Sequence, residues 1–431
     1  MGHRVEESSA AAGGFFRRRL RGLWVLLLIM GPGIITSSAD NDAGGIATYS
    51  LAGAEYGLSM IWLMLPTALL LIIIQEMCAR MAVVSGKGLS DLIRERFGVK
   101  CTFYTMVVLV IANLGTTFAE FAGIAAALEL FKISRYISVP FSILFLMWLV
   151  VKGTYGSVEK VFLAACFLFV SYVVAGFLVS PDWSEVFHAL VTPTIRTDPP
   201  YLVMMVGLVG TTVSPWMLFY LQASIVDKGT GMKKDLTVSR IDVIFGSVVV
   251  CIVATFIMLT CAFTLHKAGI QITEAGEAAL ALAPLAGDYS KWLFAFGLFN
   301  ASMFAASILP LSTAYTVCEA FGWESSLDKK FSEAPQFYGL YCFTIFLSGL
   351  IILIPTLPLV KIMYVSQVLQ GLVLPVVLVF MVLLINDRSL MGDHARGLVL
   401  NIVSWVSVAA LILLNVAAVF FSALELIGRR F

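Results

Sequence analysis

The sequence predicts an all-α membrane protein: one domain of about eleven transmembrane helices. Three observations carry this. The 431 residues are 60% hydrophobic and only 13% charged, with a mean hydropathy of +0.95, outside the range of soluble domains. Apolar runs long enough to cross about 30 Å of hydrocarbon recur along the whole length, and lipid obliges such runs to be helices that satisfy their own backbone. Two of the runs, the first and the sixth, are interrupted by polar residues and helix breakers.

Taken in order, the spans are expected near residues 23–53, 58–84, 103–131, 137–151, 158–179, 201–226, 241–265, 292–320, 338–357, 360–385 and 397–426. Residues 1–22 form a polar tail and 23–431 the single membrane domain. Basic residues cluster before span one ("RRRLR"), between spans two and three (Lys87, Arg94, Arg96, Lys100) and between spans six and seven (Lys228, Lys233, Lys234, Arg240). All three places fall on one side, so the N-terminus is expected in the cytoplasm of a cell with an inner (plasma) membrane. An odd number of spans then puts Arg429 and Arg430 outside, against the same rule. The basic N-terminal stretch "FFRRRLRG" leads into a span with no small-residue cleavage site after it, so no cleaved signal is expected.

Span one holds "GPGIITSSADNDAGGIATYS", with Asp40, Asn41 and Asp42 ahead of Gly44 and Gly45. Two carboxylates at that depth are costly unless they face water, a cation or an opposite charge. Span six holds "VGLVGTTVSPWMLFYLQAS", in which Pro215 cannot donate its backbone hydrogen bond and Gly210 loosens the turn before it. Breaks at matching positions five spans apart point to a carrier built from two inverted five-helix repeats, here about 23–179 and 201–385, with 397–426 as an extra helix. The substrate site then lies at the midplane between the breaks, where unwound carbonyls hold a cation.

The net charge of +1 argues against nucleic acid as a partner, and seven scattered cysteines show no metal or disulfide spacing. His3, His188, His266 and His394 all fall outside the span centres, so no histidine metal site is expected. No cofactor is expected either. The acids are matched with no nucleophile or histidine base, which argues against an enzyme. A channel would require rings of identical groups from an oligomer, and a pair of broken helices in one chain, expected as a monomer, argues against it. An organic-solute carrier of the same architecture remains a rival.

The residues of span one also resemble the first helix of the Nramp family of divalent-metal transporters, whose usual form is GPG, about eight residues, then DPGN, A-T and AGA-x-YG. The likeness extends through "IIIQEMCARMAVVSGKGLSDLIRERFG", "TTFAEFAGIAAALELF", "EAALALAPLAG" and "YVSQVLQGLVLPVVLVFMVLLINDRSLMG". The resemblance implies a LeuT-type fold with alternating access for a metal ion. In its frame Asp42 matches the metal-binding Asp, while Gly45 replaces the Asn. Thr211, Ser214 and Trp216 stand where the sixth helix of the family has Ala, Met and His. Thr117 and Glu120 stand where the third helix has Asp and Glu. Gln367 matches a position on the tenth helix that approaches the ion on closure.

These departures change the chemistry. A thioether selects transition metals, whereas carboxylate, hydroxyl, carbonyl and water suit hard cations. Asp42, Thr211 and Ser214 form an oxygen-only set, widened by the missing side chain at Gly45, and such a site suits magnesium, which keeps several waters. The sequence is therefore similar to the Nramp-related magnesium transporters, with Mg2+ or Mn2+ as substrate and proton coupling weakened. The alternative is a proton-coupled carrier of Mn2+ or Fe2+. Asp40 is expected to line the vestibule or ligate the ion, and Glu120 to hold a structural hydrogen bond or serve a proton route. Gln367 is expected to ligate the ion or to join two helices. Glu76 and Arg80 read as a helix-end pair or gate, and Asp242 as a helix cap.

Overall fold

A computed structural model describes residues 32–152, 161–227, 236–327, 329–395 and 397–428. The expected N-terminal tail, the start of span one, Lys228, Lys233, Lys234, Arg429 and Arg430 lie outside these residues. Every described element is helical or a turn; no strand occurs among the described residues.

The first span is two half-helices, α1 (Pro32–Asp40) and α2 (Ala43–Tyr56), parted at Asn41 and Asp42. A tight 3-10 turn over Gly57–Leu63 leads to α3 (Met64–Ser85). The turn opens at Gly57, where φ is +58°, so a glycine is required there. α4 (Leu89–Glu129) is bent at Gly98, and α5 (Arg135–Val151) is capped by Ser134, whose hydroxyl accepts from the Tyr136 amide. Next come α6 (Val161–Leu178), the short α7 (Trp183–Val191), and the halves of the sixth span, α8 (Pro199–Thr212) and α9 (Pro215–Asp227). The remaining long helices are α10 (Leu236–Cys261), α11 (Ser290–Phe321), α12 (Pro335–Ile352), α13 (Leu359–Ile385) and α14 (Leu398–Gly428).

Among the described residues nine helical stretches are long and apolar enough to cross a membrane. One of them, Ala43–Ser85, contains the turn at Gly57–Leu63 and so supplies two spans, and α5 is a shorter apolar helix of 17 residues. All eleven expected spans thus have a helix at their place. Packing ranks them. In an 18-residue apolar window of Pro199–Asp227 94% of the residues are buried, against 22% in that of Leu398–Glu425, so the broken sixth span is the centre of the bundle and the last helix its rim. Large apolar side chains on the rim, such as Phe103, Val107 and Leu144, face outward where lipid would lie.

Because lipid gives helices no hydrophobic reason to associate, close backbone approach and buried polar bonds hold the interior. α8 and α13 meet at Gly210 and Gly371: a Cβ at Gly210 would lie 2.3 Å from the Gln367 carbonyl and from the Gly371 nitrogen. Asn113 on α4 donates to Thr313 on α11 at 3.2 Å, and Gln370 on α13 donates to Thr116 at 2.6 Å. Gln75, fully buried on α3, donates to Ser37 on α1 and accepts from Ser247 on α10. Asp242 does act as a cap, but for a different helix: its carboxylate accepts from the Gly33 and Ile34 amides at 2.7 and 3.2 Å, fixing the start of α1 from α10. Glu76 accepts from both Arg80 and Arg240, joining α3 to α10.

Candidate metal site

The two breaks form for local reasons. In span six, Pro215 has no amide to offer the Thr211 carbonyl, so the helix opens at Val213 and Ser214. The Ser214 hydroxyl stands in, donating to the carbonyls of Gly210 (2.7 Å) and Thr211 (3.1 Å). In span one, Asp42 caps α2: its Oδ1 accepts from the Gly45 amide at 2.5 Å, and its carbonyl accepts from Ile46. The first amide of α2, that of Ala43, donates across to Glu120 Oε2 on α4 at 3.2 Å. Two carboxylates thus sit at the positive end of one half-helix.

The breaks meet at Gly45. The point where a side chain would begin there lies 3.1 Å from the Asp40 carbonyl oxygen, 3.2 Å from Asp42 Oδ1 and 3.2 Å from Thr211 Oγ1. Thr211 Oγ1 is buried and has no hydrogen-bond partner. Gln367 closes the other side: it lies across bare Gly44, where a Cβ would clash with its amide, and neither its Oε1 nor its Nε2 has a partner. Asp40, Asp42, Thr211, Ser214 and Gln367 are all buried, so this is an occluded arrangement. Among the described residues no three His, Cys, Asp or Glu side chains come together as a metal cluster.

The structure therefore brings Asp42, Gly45, Thr211 and Gln367 together. Ser214 is close in sequence to the cluster, but its hydrogen atom is committed to its own helix. Asp40 reaches the cluster through its main-chain carbonyl, while its carboxylate, with both oxygens unpartnered, lies toward Tyr49 and Cys251. Glu120 stands beside Asp42 with Oε1 unpartnered. Thr117 donates to the Asn113 carbonyl at 2.8 Å and takes no part in a chain of donors toward Glu120. Trp216 is fully buried with its indole nitrogen unpartnered. The Asp40 carbonyl, the Gly44 seat for Gln367 and the Tyr49–Thr212 hydroxyl contact (2.8 Å) that ties α2 to α8 were not read from the sequence. Only the glycine pair had a signal, as a place of close approach. A separate cavity of about 350 Å³ between α1, α6 and α10 reaches Ser37 and Asn41 but not Asp42 or Thr211.

The chain is similar to known transporters in sequence and in fold. The chain is 25% identical over 428 residues to a protein named divalent metal cation transporter MntH from Verminephrobacter eiseniae, covering 96% of this chain and 93% of that one. It is 26% identical over 409 residues to the protein of the same name from Deinococcus radiodurans, covering 92% and 90%. The Eremococcus coleocola manganese transporter, solved with an aromatic bis-isothiourea compound, superposes with a TM-score of 0.71 at 22% identity, over 91% of this chain and 86% of that one. Mhp1, a nucleobase-cation-symport-1 transporter, superposes at 0.55 with 13% identity, over 92% and 91%. MhsT, solved with L-phenylalanine, does so at 0.53 with 13% identity, over 91% and 97%. The fold is thus the LeuT type shared by these carriers. The profile described as Natural resistance-associated macrophage protein-like matches residues 33–421, so the chain belongs to the Nramp family.

Proposed function

We propose that this protein carries hard divalent cations, Mg2+ and also Mn2+, across an inner membrane by alternating access, without proton coupling. The observation that supports this best is the oxygen cluster at Gly45: one carboxylate, one carbonyl and one unpartnered hydroxyl, drawn from both helix breaks. The relatives' names support divalent metal as cargo. The three atoms nearest the point where a Gly45 side chain would begin are all oxygen, and hard donors do not discriminate in favour of soft metals. In this reading Asp42 is the anionic ligand, Thr211 and the Asp40 carbonyl are neutral ligands, and Gln367 turns toward the ion. Ser214 contributes a lone pair, and its hydroxyl steadies the Thr211 turn. The inverted repeats are 23–179 and 201–385, the extra helix 397–426, the N-terminus cytoplasmic and the carrier a monomer. The metal is substrate, and no cofactor or reaction is assigned.

The second reading, proton-coupled transport of Mn2+ or Fe2+, draws on Glu120 remaining beside Asp42. Uptake into proteoliposomes tests both. Mg2+ and Mn2+ should enter, and Asp42→Ala should abolish entry while the purified protein stays monodisperse. Exclusion of Mg2+ with good transport of Fe2+ or Cd2+ would overturn the hard-site reading, and normal rates in Asp42→Ala would remove Asp42 from the site.

A further inference from the structure

A second group of unsatisfied oxygens lies away from the breaks, where the α3–α4 junction meets the ends of α9 and α11. Glu319, near the end of α11, is 8% exposed, and its Oε2 has no partner. Its carboxylate rests on Gly88, where a Cβ would stand 2.1 Å away. Ser90 lies against it, fully buried, with its amide and hydroxyl directed at the Glu319 carboxylate. Gln222 on α9 donates its amide to the Lys87 carbonyl at 3.0 Å, one residue from Gly88, and its own Oε1 is buried without a donor.

The charge around this group is negative. Asp91 and Asp227 are close enough to repel Glu319. Arg94 bonds Asp91 and the Ala320 carbonyl, Lys87 pairs with Glu95, and Asp227 accepts from Tyr315 and the Leu327 amide. These donors are directed elsewhere, and the donors that bear on Glu319 are the Ser90 amide and hydroxyl. The Glu319 Oε2 and the Gln222 Oε1, buried without donors, are costly as they stand, and a bound cation is the kind of partner that relieves such oxygens.

The group is also connected to the metal site. α11 presents Ser312, Thr316 and Glu319 at spacings of four and three, on one face of the helix. Ser312 donates to the Trp216 carbonyl, just past the break in span six, at 2.7 Å, and Thr316 is buried with its hydroxyl unpartnered. A line of oxygen groups therefore runs along the α9–α11 seam from the break to Glu319.

We propose that Glu319, Ser90 and Gln222 frame a second station for a hard divalent cation at the cytoplasmic end of this seam, where the ion pauses between the Gly45 cluster and the aqueous phase. This rests on the cation-carrier reading above. With one carboxylate and two neutral oxygens, the station holds the ion with much of its water retained and releases it readily.

Mn2+ is the probe, titrated into the purified full-length chain with the free ion followed by electron paramagnetic resonance, and Mg2+ added as competitor. Wild type should bind about two equivalents, while Glu319→Gln and Asp42→Ala should each retain about one and the double variant none. Ser90→Ala and Gln222→Leu should weaken the Glu319-dependent class roughly tenfold, a loss of about 1.4 kcal/mol, which keeps the test open should Glu319→Gln misfold. Two equivalents retained in Glu319→Gln, or none in Asp42→Ala, would overturn the station and leave the main site intact. Two equivalents in Asp42→Ala with one remaining in Glu319→Gln would keep the station and sink the assignment of Asp42 instead.

Discussion

Thr211 and Ser214 carry hydroxyls three residues apart, and the structure uses them in opposite ways. Thr211 Oγ1 satisfies nothing in the protein, so Thr211→Val removes a buried, unpartnered oxygen and should leave stability unchanged or slightly improved while cation affinity falls. Ser214→Ala should do the reverse, leaving the Gly210 and Thr211 carbonyls without their donor at a cost of about 1–3 kcal/mol. Thermal unfolding beside Mn2+ binding separates the two, and a Thr211→Val protein that binds normally would remove that hydroxyl from the site. Gly45→Ala puts a methyl group within 3.2 Å of all three oxygens, two of them fixed by the helix break, and should cut uptake at least tenfold with little change in unfolding temperature. At this scale the sequence was informative wherever side-chain chemistry decides the outcome. Asp42 stood out as an acid at a break, and Gly45 as a missing amide. The Asp40 carbonyl did not stand out, because a sequence displays side chains and the ligand there is main chain.

At the level of elements, what matters is which helices touch and how closely. Gly210 and Gly371 bring α8 and α13 into backbone contact, and that contact positions Gln367 over Gly44. Neither neighbour can yield, since the obstructing atoms are backbone nitrogen and carbonyl oxygen. Gly210→Ala should therefore separate the two helices, cost 1–3 kcal/mol and abolish transport, and detergent melting with an uptake assay checks this. Wild-type uptake in that variant would mean that α13 adjusts freely. Asp242 shows why partners were harder to read than elements. Its place near the start of span seven indicated a cap, but the amides it caps are 209 and 208 residues away on α1, and only the packed bundle brings them together. The breaks in spans one and six were legible because Pro215 and the polar run from Asp40 to Asp42 act locally. Glu319 was not legible, since its significance comes from Ser90 and Gln222, on two other helices.

For the molecule as a whole, the question is what drives the ion. A proton route in this fold would need titratable steps on the third and sixth spans, where this chain has Thr117, bonded to its own helix, and Trp216, whose indole does not exchange a proton near neutral pH. Glu120 remains, but its Oε2 is engaged by the Ala43 amide as part of the α2 helix start. A divalent ion needs no such help: an inside-negative potential contributes about 2.3 kcal/mol per charge per 100 mV, hence about 4.6 kcal/mol for two charges, more than three powers of ten in accumulation. Uptake should then follow a potential set by potassium and valinomycin, stop when that potential is collapsed without an ion gradient, and continue with the membrane made permeable to protons. A pH dye inside the vesicles should stay flat while Mg2+ enters. Acidification that depends on the added metal, and disappears in Glu120→Gln, would show that the proton route survives through Glu120 beside Asp42, and transport in this chain would then be coupled.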